Sequence, residues 1–404
     1  MKRLAVAALV ALAFAQGGAH AAGFDCKRAA EPVEKLICAD KALSRADDEL
    51  ARLYGDRLRA SATPGKLVAA QRQWLRDVRG KCTTAACLKA AYEERARVLN
   101  GTVASFDCDK AAAPVERRIC ASDQLRYWDR KVGDAFRDLK DVVPAPDRFT
   151  AEQKGWLRDV RDRCPDEACL ASALGARSDA LAARWQERLD AAAARTGYGK
   201  QPLYADLMAL PGDRNRLVAA FATQDSAADA AGGTPAPDED FTLDLYVVDA
   251  GTGKALQHVR ETVASDALAL SGMRLDRTNH GAALGVPAFG ILLDHFHAGC
   301  AAYAGTSTRL YAIDGKSLRQ VVGDLVMSAS AGMCGTDCES HETFRTLQAA
   351  PRAAARYPEL TVSEVMLEDA PGQRAGECRT TRTQATHTLR YDGKRYPLPP
   401  AMAY

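Results

Sequence analysis

The chain has 404 residues, of which 47 % are hydrophobic and 26 % charged, with a formal net charge of +2. That length holds two or three domains of ~100–200 residues with real cores. The near balance of charge lacks the dense basic footprint of a nucleic-acid binder, so no nucleic-acid partner is expected.

Lys2 and Arg3, the apolar run Leu4–Ala15 and the small residues Ala19-His20-Ala21 predict a secretory signal over 1–21. The run is shorter than the ~20 residues a bilayer span needs, which disfavours a membrane anchor after cleavage. Cys26 follows Phe24-Asp25 instead of the small-residue site, so a lipoprotein anchor is not expected either. Without Lys2 and Arg3, 52 basic and 52 acidic residues remain. A periplasmic or secreted protein is the expectation.

A gapless repeat of 82 residues follows. Phe24-Asp25-Cys26 returns as Phe106-Asp107-Cys108, and Pro32-Val33-Glu34 as Pro114-Val115-Glu116. Trp74-Leu75-Arg76-Asp77-Val78-Arg79 returns as Trp156-Leu157-Arg158-Asp159-Val160-Arg161. Laying 24–99 on 106–181 gives 30 identities in 76 positions. Two copies of one module are thus expected over 22–100 and 101–190.

Each copy reads as helical. Pro32 suits a first turn, with Glu31 and Glu34 favouring the dipole, and predicts a helix to Ala39. Leu43, Ala46, Leu50, Leu53, Tyr54 and Leu58 set a second helix, broken by Pro64-Gly65. Leu67, Ala70, Trp74, Leu75 and Val78 set a third, with Trp74 and Trp156 assigned to the core. Cys82 to Cys87 is a short connection, and Leu88 to Leu99 a fourth helix. In copy two Phe136 replaces Tyr54 and Val132 replaces Leu50.

Twelve cysteines in an exported chain predict disulfides. Cys26–Cys38 with Cys82–Cys87 would close short local loops, matched by Cys108, Cys120, Cys164 and Cys169 in copy two. The rival, 26–87 with 38–82, would staple the bundle ends together, and both stay open. For Cys300, Cys334, Cys338 and Cys378 the expected pairs are Cys338–Cys378 and Cys300–Cys334.

The run F-D-C-x-x-A-x-x-P-V-E-x-x-I-C-A, the Q-x-x-W-L-R-D segment and the closing cysteine pair resemble the LprI-type domain, in both copies. The resemblance implies an exported, helical, disulfide-bonded, non-enzymatic domain, and the family's name implies lysozyme as partner; another envelope protein is the alternative. Copy two departs from copy one at Ser122 for Asp40 and Leu174 for Tyr92. Residues 24–100 carry 16 basic and 11 acidic residues, 106–190 carry 16 and 17, and 200–404 carry 19 and 24. Animal-type lysozymes are strongly basic, so the second copy or the C-terminal region is the better surface for one. Arg76, Asp77 and Arg79, repeated as Arg158, Asp159 and Arg161, form a candidate recognition patch beside the plainer reading of a salt-bridged face.

Residues 191–240 read as a linker or transition, and 241–404 as a β-rich domain. Phe241–Val248, Thr308–Ile313 and Thr386–Tyr391 each run into an Asp/Gly turn and a second strand, which predicts an antiparallel sheet, sandwich or propeller-like fragment. The expected fold class is α+β, with two disulfide-bonded helical repeats before this domain. Gly251-Thr252-Gly253-Lys254 imitates a phosphate loop but has Val248 where the motif wants glycine, so a hairpin turn is expected. His295, His297, Cys300, Cys334, Cys338 and His341 have zinc-ligand chemistry, yet exported cysteines favour oxidation. A hydrolase activity in this domain is the less favoured alternative: Asp294-His295 with Ser328 or Ser330 could be assembled for it but lacks a nucleophile elbow. No metal, cofactor or catalytic residue is expected.

Overall fold

The computed structural model describes residues 29, 31–40, 42–44, 46–47, 50, 53–54, 64–99, 104–224, 239–265, 268–297, 301–333, 340–349, 356–371 and 378–403. The expected signal, Cys26, and Cys300, Cys334 and Cys338 with their expected pairings lie outside them. The fold class is α+β: disulfide-bonded helices first, antiparallel sheets after.

In copy one, α1 spans Pro32–Ala39, α2 Pro64–Asp77 and α3 Ala85–Leu99. Helical residues at 42–44, 46–47, 50 and 53–54 mark the intervening element. Copy two repeats the pattern as α4 (Pro114–Ala121), α5 (Asp123–Val142), α6 (Pro146–Asp159) and α7 (Glu167–Thr196). The prolines at the starts of α1, α4 and α6 sit where a missing N–H costs nothing. Asp40 and Ser122 do the same job by different chemistry. Asp40 Oδ1 accepts from the Ala42 amide at 2.7 Å, and Ser122 Oγ accepts from the Leu125 amide at 3.5 Å. Among the described residues Cys82–Cys87, Cys108–Cys120 and Cys164–Cys169 are disulfides, the local arrangement.

The linker expected at 191–240 is corrected as far as residue 224, and 225–238 lie outside the described residues. Helix α7 continues to Thr196, where Gly197 at φ 71° supplies the left-handed cap. Tyr204–Leu210 (β1) and Asp213–Thr223 (β2) are then strands. They join β3 (Phe241–Asp249) and β4 (Ala255–Val263) in a four-stranded antiparallel sheet of order β1-β2-β3-β4. The misreading has a cause: Leu217 to Thr223 are all buried, so the alternation that marks a half-exposed strand is missing.

Both faces of this sheet are covered. Leu207, Leu217, Ala219, Phe221, Tyr246 and Val248 pack on copy two, among Leu125, Leu139 and Leu189. Tyr198, just after α7, stacks on Phe221 with ring centroids 4.4 Å apart. Arg277 ties the layers, lying 3.7 Å from Asp138 on α5 and 3.4 Å from the buried Asp206 on β1. The opposite face, with Val218, Ala220, Leu243 and Leu245, meets Leu275, Phe289, Ile291 and Leu293 of a second sheet.

That second sheet has seven antiparallel strands: β5 (Ala269–Asp276), β6 (Ala288–His297), β7 (Ala301–Asp314), β8 (Ser317–Met333), β9 (Ser340–Ala349), β10 (Leu360–Pro371) and β11 (Cys378–Leu389), in sequence order across the sheet. A short helix, α8 (His280–Leu284), joins β5 to β6. The arrangement is a sandwich with a helical layer on one side. The expected final hairpin at Lys394–Leu398 is corrected: no strand forms there. The chain meets β8 through isolated bridges instead, at Tyr396, whose amide donates to Val321 O at 2.7 Å, and at Ala403 opposite Leu325. Pro397, Pro399 and Pro400 have no N–H to extend a ladder. Tyr396 and Met402 instead cover a third core over Leu310, Val322 and Leu360. Copy one reaches this sheet through Tyr54, which packs on Phe344 and Leu367.

Candidate functional site

The repeated Trp-Leu-Arg-Asp-Val-Arg segment builds the same feature twice. Helix α2 ends at Asp77 and α6 at Asp159. Val78 then has φ −117° and ψ −68°, and Val160 φ −118° and ψ −67°. A three-residue 3-10 turn follows, and a disulfide between cysteines five positions apart closes behind it. Backbone freedom at this corner is therefore small in both copies.

The six residues of the candidate patch are divided by the structure. Arg79 and Arg161 turn inward. Arg79 reaches Asp47 at 3.4 Å; Arg161 lies 3.9 Å from Asp129, 82 positions on, while its Nε donates to the neighbouring Asp162 at 2.8 Å. Arg76, Asp77, Arg158 and Asp159 stay at the surface. Beside them Leu75 is 37 % exposed, Val78 42 % and Val160 43 %. Each copy thus presents a ledge of valine, arginine and aspartate on a fixed turn, with Trp74 or Trp156 turned inward beneath it.

Behind the ledges sit polar pairs outside the candidate patch. Arg95 Nε donates to Gln71 at 2.7 Å with its guanidinium 5.8 Å from the Trp74 ring centre. Arg177 Nε donates to Gln153 at 2.9 Å, 5.6 Å from Trp156. The signal was present: Asp47, Gln71 and Arg95 are polar identities between the copies at positions in the apolar stripe. In copy one Tyr92 completes the group, its O–H donating to Asp47 at 2.5 Å and its oxygen accepting from Arg79 Nε at 3.1 Å. Burial first, then the Asp47 carboxylate, push the Tyr92 hydroxyl far above its ordinary value, so it stays a donor. Copy two has Leu174 there, fully buried, and Asp129 accepts instead from the Ser105 amide at 2.7 Å.

The ledges differ in charge. Around the first, Arg76, Asp77 and Lys81 are exposed, beside Thr83, Thr84 and Ala85. Around the second, Arg158, Asp159, Asp162, Arg163, Asp166 and Glu167 are exposed. The formal balance is +1 for the first and −2 for the second.

The remaining sequence candidates do not converge. Gly251–Lys254 is a hairpin turn, where Asp249 Oδ1 accepts from the Gly251 and Thr252 amides and Gly253 has φ 72°. Asp294 and His295 are consecutive on β6 and face opposite sides of the sheet. Asp294 pairs with Arg274 and accepts from Thr306 at 2.6 Å, whereas His295 lies 3.1 Å from Ser307, not Ser328 or Ser330. Burial pushes the His295 imidazole down to about 4. His341 lies three strands from His295, 3.4 Å from Glu368. Among the described residues no cluster of three metal-ligating side chains occurs, and no helix is long and apolar enough to cross a membrane.

Residues 26–105 match the family described as lysozyme inhibitor LprI. The match contains the whole first ledge, the Asp47–Arg79–Tyr92 group and the Cys82–Cys87 bond. No curated protein and no solved structure matches the chain.

Proposed function

We propose that this is an exported inhibitor-type binding protein with two LprI-like modules, and that the ledge of the second module engages a basic lysozyme. The observation carrying this reading is the family match over copy one, joined to the recurrence of the same locked turn in copy two. The charge balance directs the partner to the second ledge, because an acidic surface steers a basic protein into contact. Val160 gives that ledge an apolar centre ringed by charge, the composition of an interface anchor. Lys2, Arg3 and the apolar run after them support export.

Cell-wall turnover by a basic lysozyme, measured with the mature chain and intact disulfides, tests this directly. Inhibition at micromolar protein that weakens as salt rises is the expected result. Full turnover at that concentration overturns the reading for the lysozyme used. The alternative, capture of another envelope protein, draws its support from the first ledge, whose positive balance does not suit a basic enzyme.

A further inference from the structure

A pocket of about 270 Å³ opens in copy two between the start of α6 and the second half of α7. Val143, Ala145 and the Phe149 ring give it an apolar wall, and Arg148, Arg184 and Arg188 face it with Glu152 and Glu187. The charges do not cancel. Arg184 is engaged, donating to Glu152 at 2.8 Å and lying 5.5 Å from the Phe149 ring centre. Arg177 holds the other Glu152 oxygen at 3.2 Å. Against the cost of burial, those two guanidinium groups keep Glu152 below the usual carboxylate range. Glu152 is therefore neutralised already.

Arg148 and Arg188 make no ion pair among the described residues. Arg188 Nε is also buried with no hydrogen-bond partner. Burial first, then Arg195, lower its pKa, and no carboxylate opposes them. A buried guanidinium N–H without an acceptor is costly, and an anion placed against it removes that cost.

We propose that this pocket binds a small carboxylate monoanion carried on a flat apolar body. The guanidinium forks of Arg148 and Arg188 match a carboxylate, and Phe149 with Val143 matches the apolar body. The lining sums to one net positive charge, which suits a monoanion better than a dianion. The site belongs to copy two alone. In the register of the repeat, copy one has Lys66 for Arg148, Ala70 for Glu152, Thr102 for Arg184 and Phe106 for Arg188. It is independent of the lysozyme reading, since it uses neither ledge.

Calorimetric titration of the full chain with benzoate, benzamide and inorganic phosphate tests the proposal. Benzoate is expected to bind with a Kd of about 1 mM or tighter, as its size allows. Benzamide, of the same shape but uncharged, and phosphate, charged but without the apolar body, should each bind at least about tenfold more weakly. Arg188→Gln and Arg148→Gln should each weaken benzoate by about tenfold. Arg148 is exposed, so its variant keeps the test valid if Arg188→Gln fails to fold. Equal binding of benzamide, equal binding of phosphate, indifference to Arg148→Gln, or no benzoate binding overturns the proposal.

Discussion

The two copies share a scaffold to within a degree at Val78 and Val160, yet settle the same buried aspartate in different ways. In copy one Asp47 is held by a tyrosine and an arginine from its own module. In copy two Leu174 replaces the tyrosine, and Asp129 turns to the amide of Ser105 in the connecting chain. That approach depends on Gly133, where a Cβ would come 2.5 Å from Ser105 Cβ. Copy two has thus exchanged an internal hydrogen bond for one that fixes the entry of its own chain. It also carries the sheet on its flank, whereas copy one has its own separate core. The turn and its disulfide are the same in both segments, while their surroundings differ.

The largest expected effect separates the copies by what depends on them. Leu88 and Leu170 are equivalent and fully buried. Leu88→Ala and Leu170→Ala should each cost about 2–5 kcal/mol. Hydrogen exchange should show the Leu170→Ala loss spreading into β1–β3, and the Leu88→Ala loss confined to copy one. Identical patterns would contradict the continuous core of copy two.

The β half has two pH-sensitive groups of its own. His295 is held at about 4 in the folded chain against an ordinary value near 6.5, so the unfolded chain binds more protons between those limits. Stability should therefore rise with pH across ~4 to ~6.5, by up to about 3 kcal/mol, and be flat in this respect above. Asp276 acts in a lower window. Burial opposes ionisation there, but the His280 bond and charge hold its carboxyl at about 2. Its contribution is full above ~4 and lost as pH falls towards ~2. Urea titrations of wild type, His295→Gln and Asp276→Asn over pH 2–7 read both slopes; a His295→Gln slope equal to wild type would count against the first.

Smaller effects sharpen the contrast at the pivot and the caps. Tyr92→Phe removes the donor to Asp47 and should cost about 1–3 kcal/mol, because Asp47 is a buried acceptor. Thermal unfolding of Leu174→Tyr should not show a matching gain, since Asp129 already has its amide partner. At the caps, Asp40→Ala should cost about 1 kcal/mol and Ser122→Ala less, given the longer Ser122 bond.

Much of this was legible in the residues. Helix α1 and its repeat followed from Pro32 and Pro114, and the hairpin at Gly251–Lys254 from its turn chemistry. What escaped had lost the usual pattern. Strand β2 is buried on both faces, so it shows no alternation. Strand β9 buries Glu342, Thr343 and Arg345, with Arg345 paired across the ladder to Glu364 at 2.6 Å, and so reads as a polar segment. The candidate patch was half legible. The repeat marked all six residues, but only the fold reveals that Arg79 and Arg161 turn inward, Arg79 to the buried Asp47 and Arg161 to Asp162 beside the buried Asp129. The pocket beside Arg188 joins residues some 40 positions apart and left no local signal.

On the proposed function, the second ledge, not the first, meets a basic lysozyme. Its most direct test is the inhibition constant of two charge variants in the same turnover assay. Asp162→Lys with Glu167→Lys should weaken inhibition at least about tenfold, the order of a lost interfacial charge pair, while Lys81→Glu should leave it unchanged or strengthen it. Unaltered inhibition by the double variant, with loss on changing Lys81, would contradict the account.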